Sequence, residues 1–211
     1  MGVYTRPMTV ELLTEAPLAP PAGLGPYRRE DYDALPERPR CELLFGRLYL
    51  AASPTPWHQM VALLLWRHLQ SIAEAAGGFA SSAPLDVVLA GHSVVQPDVI
   101  YVSAARLGIQ GKRIEGAPDL LIEILSTGSA RRDRGEKLSL YAMAGVREYW
   151  IVEPSTRHIE FLVNEGGRFV VALPAAGVYR SEQIPELHLD VAGFWREVES
   201  RYPAGWERSD R

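Results

Sequence analysis

Two apolar segments decide how this chain is read: V-V-Q-P-D-V-I-Y-V at residues 94–102 and D-L-L-I-E-I-L at residues 119–125. Both have the composition of strands in a sheet covered on both faces. Strand alternation puts Gln96, Asp98 and Ile100 on one face of the first, and Leu121, Glu123 and Leu125 on one face of the second. Each strand therefore carries a carboxylate where its neighbours are apolar. A buried, unpaired carboxylate costs several kcal/mol or takes up a proton. Two carboxylates about 4 Å apart repel by roughly 4 kcal/mol at an effective dielectric of about 20. A divalent cation relieves both penalties, and carboxylate oxygens are the ligands that magnesium prefers. The alternatives are a structural ion pair, or carboxylates capping loop amides at the strand ends.

The segment after Glu123 belongs to the same reading. Residues 129–144 form a helix pattern ended by Gly145, and Asp133, Lys137 and Tyr141 share one face at i, i+4 and i+8. Of 22 basic residues only Lys112 and Lys137 are lysine, and Lys137 sits beside Leu138 in a helix that must pack on the sheet. Arg131, Arg132 and Arg134 crowd its first turns, a density of positive charge suited to phosphates. The plain alternative is a solvated basic helix start. Glu42, in C-E-L-L-F (41–45), is a further candidate acid, and His58 could point at the same cleft.

Further out, short apolar runs at 41–45 and 47–51 around Gly46 read as a hairpin. Thr55 and Pro56 read as the N-cap and first position of a helix over 57–75, with Val61, Leu64, Leu65, His68, Leu69 and Ile72 on one stripe. Residues 27–35 suggest a short helix. Strands are expected at 86–89, 147–152, 158–163 and 169–173, and a closing helix near 191–200. The order predicts a mixed α/β domain, a central sheet flanked by helices. Residues 1–26, rich in Pro, Gly and Ala, read as an N-terminal arm, 27–200 as a single domain and 201–211 as a C-terminal tail.

Composition narrows the function. The chain has 211 residues, 47% hydrophobic and 23% charged, which excludes a disordered or collagenous protein. A net charge of −4 argues against a general nucleic-acid coat but leaves room for a local basic patch. One cysteine, Cys41, excludes an internal disulfide and a multi-cysteine zinc site. The absence of a long apolar run and of a basic, apolar leader makes a cytoplasmic protein without a membrane partner the expectation.

E-L-L-F-G-R-L (42–48), S-P-T-P-W-H (53–58), Q-P-D-V (96–99), G-A-P-D-L-L-I-E-I-L-S (116–126), D-x-x-x-K-x-x-x-Y (133–141) and A-G-V-R-E-Y-W-I-V (144–152) occur in that order. Together they resemble the Uma2 family of the PD-(D/E)XK nuclease superfamily over about residues 27–190. The resemblance implies a restriction-endonuclease-like core and a metal-dependent endonuclease acting on nucleic acid, DNA before RNA. It implies Pro97-Asp98 as the PD element and Glu123 as the second acid, binding Mg²⁺ or Mn²⁺ with the main-chain carbonyl of Ile124. Glu42 would be the acid of the first element. The superfamily lysine two residues after the second acid is absent, since Leu125 stands there. In this family it is expected on the following helix, as Lys137. His58 and Tyr141 match family positions and are grouped with Arg131, Arg132 and Arg134 on the substrate side. A homodimer is expected. The alternative is a binding module on a nuclease fold with little catalysis.

Overall fold

The computed structural model describes residues 23–36, 39–51 and 53–201. In chain order its elements are α1 (Arg29–Asp33), β1 (Cys41–Leu44), β2 (Arg47–Leu50), α2 (Pro56–Ala76), β3 (Phe79–Ser82), β4 (Val87–Ala90), β5 (Ser93–Val95) and β6 (Val99–Val102). A 3-10 segment (Ala104–Ile109) and β7 (Ile114–Glu115) lead to β8 (Leu120–Ile124). Then come α3 (Ala130–Arg132), a π-helical turn (Asp133–Lys137) and α4 (Leu138–Ala144). The remainder is β9 (Glu148–Glu153), β10 (His158–Glu165), β11 (Arg168–Ala172), β12 (Val178–Arg180), β13 (His188–Asp190) and α5 (Val191–Arg201). Most of the arm and nearly all of the tail expected from the sequence lie outside the described residues.

Six strands form the main sheet in the order β11-β10-β9-β8-β6-β3. Only β8 and β9 run parallel in it, Leu120 facing Glu148 and Ile124 facing Val152. A parallel pair needs a crossover, which the segment containing α3, the π turn and α4 supplies. Five strands, β2-β1-β5-β4-β7, form a second sheet. The expected mixed α/β architecture is found, with two larger sheets and a two-stranded β12-β13 ribbon.

Strand alternation divides the core. Val99, Tyr101, Leu120, Ile122, Ile124, Trp150 and Val152 pack under α2 and α5. Ile100, Leu121, Tyr149 and Ile151 face the other way, against Leu140 and Tyr141 of α4 and Tyr49, Val87 and Val95 of the second sheet. Glu123 has the parity of Leu121, so β8 aims it at the seam between the sheets. The stripe of α2 is buried as its period predicts, with His68 and Ile72 half-buried at its margin. Thr55 caps it, its side chain accepting from the His58 N–H, and Gly77 ends it at φ 73°.

Two expectations need correction. Residues 94–102 are not one strand: β5 belongs to the second sheet and β6 to the first, with Gln96-Pro97-Asp98 bridging them. Pro97 has no N–H and cannot continue a ladder, so Gln96, Asp98 and Ile100 do not share a strand face. The helix after Glu123 is not uniform either, because five residues at its centre wind as a π turn. The sequence reading also passed over β3, β7, β12 and β13.

Candidate active site

Glu123 and Lys137 meet first. Lys137 reaches Glu123 from the π turn, Nζ to Oε1 at 2.9 Å. The Tyr141 hydroxyl donates to the same oxygen at 2.6 Å. Lys137 Nζ lies 3.0 Å from Glu42 Oε1 on β1 and 3.6 Å from Asp133 Oδ1 in the π turn. The i, i+4, i+8 face of the sequence is thus realised around one carboxylate. π turns recur at functional sites because the extra residue re-aims side chains.

Glu42 connects this group to the Pro97-Asp98 bridge, since its Oε1 accepts from the Gln96 main-chain N–H at 2.8 Å. Asp98 Oδ2 accepts from the Ile124 N–H at 2.7 Å. His58 Nε2 stands 3.2 Å from Asp98 Oδ2 and 2.9 Å from the Ile124 carbonyl. Its position follows from the α2 cap, because its own N–H is bonded to Thr55 Oγ1 at 3.2 Å.

Electrostatics follow from burial. Glu42, Glu123, Asp133 and Lys137 are all buried, while the Asp98 side chain is 18% exposed. Burial drives the Glu123 carboxyl well above its ordinary range; Lys137 opposes this, and Asp133, Asp98 and Glu42 add to it. Burial raises Asp133 to about 6, against the pull of Lys137. For Lys137 burial favours the neutral amine, but Glu123, Glu42 and Asp133 outweigh it and hold the ammonium well above its usual range. For His58 burial acts downward, and Asp98 and the Ile124 carbonyl overcome it to give a raised value. Three carboxylates, those of Glu42, Glu123 and Asp133, thus surround one ammonium.

These groups open on a cleft of about 820 Å³ lined by Glu42, His58, Asp98, Glu123, Ile124 and Lys137 among others. Tyr141 stands behind Glu123. Of the three arginines, Arg132 lines the cleft, and its guanidinium lies 4.5 Å over the Tyr49 ring. Arg131 is exposed and outside the cleft lining. Arg134 pairs instead with Glu153 and Glu160. The sequence reading missed Arg40 and Trp57, which also line the cleft; their adjacency to Glu42 and His58 in the chain was the available signal.

Among the described residues no three His, Cys, Asp or Glu side chains form a ready metal cage. Magnesium does not require one, because it retains waters and is commonly held by one or two carboxylates. Asp98, Glu123 and the Ile124 carbonyl offer hard oxygen donors, and the Ile124 N–H fastens Asp98 to the main chain beside Glu123. These are oxygen donors of the kind a divalent cation takes.

The family model of Uma2, described as "putative restriction endonuclease", matches residues 29–199. The chain belongs to the Uma2 family. The solved structure of a "putative nuclease belonging to DUF820" from Anabaena variabilis ATCC 29413 matches this Uma2 protein with a TM-score of 0.69 and 18% sequence identity. The match covers 82% of this chain and 99% of that one, and at such identity it shows the shared fold. Among curated proteins none matches the Uma2 sequence. The family is described as one of putative restriction endonucleases, and the fold is shared with the solved DUF820 protein.

Proposed function

We propose that this Uma2 protein hydrolyses phosphodiester bonds of nucleic acid, DNA in the first instance, with a divalent cation held by Asp98, Glu123 and the Ile124 carbonyl. One observation carries the reading: a buried ammonium, Lys137, within 3.0 Å of both Glu42 and Glu123 in the wall of a cleft that Asp98 also lines. Neutralising a structural carboxylate needs no cleft and no surplus of acids. When bound, magnesium or manganese acidifies water and screens the phosphate charge.

The protein's own groups divide the remaining work. Lys137, held charged by three carboxylates, places an ammonium where negative charge grows on the phosphate. Glu42 positions Lys137, and Tyr141 positions Glu123. His58 fixes the Asp98 carboxylate against the Ile124 main chain. Arg132, made rigid by Tyr49, offers its guanidinium to a neighbouring phosphate.

Supercoiled plasmid incubated with the purified protein tests this reading. Cleavage is expected with magnesium and not with EDTA, and Glu123→Gln or Lys137→Met should lower the rate by at least about 100-fold. Undiminished cleavage by either folded variant, or cleavage in EDTA, would overturn it.

A further inference from the structure

Lys137 stands at the end of the π turn, and two tyrosine hydroxyls from different sheets fasten that turn. At its start, the Asp133 carbonyl accepts from the Tyr149 hydroxyl at 3.1 Å. Near its end, Glu136 Oε1 accepts from the Tyr49 hydroxyl at 3.0 Å. Glu136 precedes Lys137 in the chain and is fully buried. Tyr49, Tyr149 and Glu136 line neither the cleft nor a second cleft of about 750 Å³ beside it. They can therefore influence a substrate only through other residues.

The strands explain how these contacts are grouped. Tyr49 on β2 is the direct cross-strand partner of Glu42 on β1, so the two side chains leave the same face side by side. Glu42 meets Lys137, and Tyr49 meets the neighbouring Glu136. Tyr149 on β9 lies opposite Leu121 on β8, with Glu123 two residues farther along the same face. Glu123 meets Lys137, and Tyr149 meets Asp133. Each of the two strand carboxylates at the ammonium thus has a tyrosine from the adjacent strand holding the segment that carries it. The second sheet supplies one such pair and the main sheet the other. Both rings are themselves fixed. Tyr49 lies under the Arg132 guanidinium at 4.5 Å, and Tyr149 packs edge-on against Tyr141 at 4.9 Å. π winding is rare and occurs mostly as single turns at functional sites; here contacts from both sheets hold it.

Resting on the hydrolase reading, we infer that Tyr49, through Glu136, and Tyr149, through the Asp133 carbonyl, are positioning residues for Lys137. They clamp the π turn to the two sheets and so fix where the ammonium stands against Glu42 and Glu123. A misplacement of about 1 Å at a reacting centre can cost about 100-fold in rate, which is the scale on which such a clamp acts.

Lysine labelled with heavy nitrogen gives a probe that needs no activity, because the chain has only Lys112 and Lys137, and Lys112 is exposed. In the wild type the buried Lys137 ammonium should give a sharp, slowly exchanging magnetic-resonance signal. Tyr49→Phe and Tyr149→Phe each keep the ring and delete one hydroxyl. Each should broaden or shift that signal and lower kcat for magnesium-dependent cleavage roughly tenfold or more, with KM unchanged. Glu136→Gln keeps an acceptor for Tyr49 and should restore most of the rate lost in Glu136→Leu. The two clamps come from different sheets, so a variant that fails to fold leaves the other to decide. Folded Phe variants with a lower Tm but an unaltered Lys137 signal and kcat would overturn the inference and leave the nuclease standing. Wild-type protein that cuts no nucleic acid, with the Lys137 signal still lost in the Phe variants, would overturn the hydrolase reading and leave the clamp standing.

Discussion

Asp133 is the residue where stability and function pull apart. It is buried, and its nearest cation is Lys137, Nζ to Oδ1 at 3.6 Å. Burial raises it from an ordinary 3.8 to about 6. An acid whose folded pKa exceeds its unfolded one stabilises the fold while protonated. That contribution is complete below about 3.8 and is lost as the pH rises through about 6. Calorimetry of Asp133→Asn should therefore show a Tm that gains on the wild type between pH 5 and pH 7, while cleavage falls because Lys137 loses an anchor. A variant that loses ground as the pH rises would refute this assignment. Glu42, Asp98 and Glu123 stood out in the sequence as acids beside apolar runs, and Lys137 as one of two lysines among 22 basic residues. The three arginines were not legible as individuals. Successive helical residues point about 100° apart, so one run sends Arg132 onto Tyr49, Arg134 to Glu153 and Glu160, and Arg131 outward.

At the scale of elements, caps and punctuation carry the site. Thr55 starts α2 and in doing so sets where His58 meets Asp98 and Ile124. Thr55→Ala should cost about 1 kcal/mol, a Tm loss of roughly 2–4 °C for a domain of this size, and should weaken manganese binding measured by titration calorimetry. An unchanged Tm would mean that the cap contributes nothing. The period of α2 and its Thr55-Pro56 start were readable because burial and capping leave residue-level signatures. The break at Pro97 was signalled by the missing N–H and still overridden by the apolar run around it. β3, reading F-A-S-S, has too little alternation to announce itself, and β7 has only two residues. The π turn had no signature in the hydrophobic pattern, because α and π windings place the same residues near the same face over one turn.

For the whole molecule, a second buried acid shows what a structural carboxylate looks like here. Glu148, fully buried at the start of β9, accepts from Trp150 Nε1 at 3.0 Å, from the Tyr179 hydroxyl at 2.8 Å and from the Ser181 hydroxyl. It ties the main sheet to the β12 region and opens on neither cleft. Glu148→Ala strands those donors and should destabilise the fold by about 3–5 kcal/mol in denaturant titration, while Glu148→Gln should retain most of the stability. Similar losses in the two variants would show that the donors are not what matters. The site acids differ in kind: they crowd one ammonium, outnumber it and border a cleft. That contrast separates the nuclease reading from a plain salt-bridge network. The decisive measurement is the anomalous signal of a crystal soaked in manganese. The account predicts a peak about 2.0–2.4 Å from carboxylate oxygens of both Asp98 and Glu123, with the Ile124 carbonyl alongside. A well-ordered crystal with no peak in that cleft, or with manganese bound only elsewhere, would contradict it.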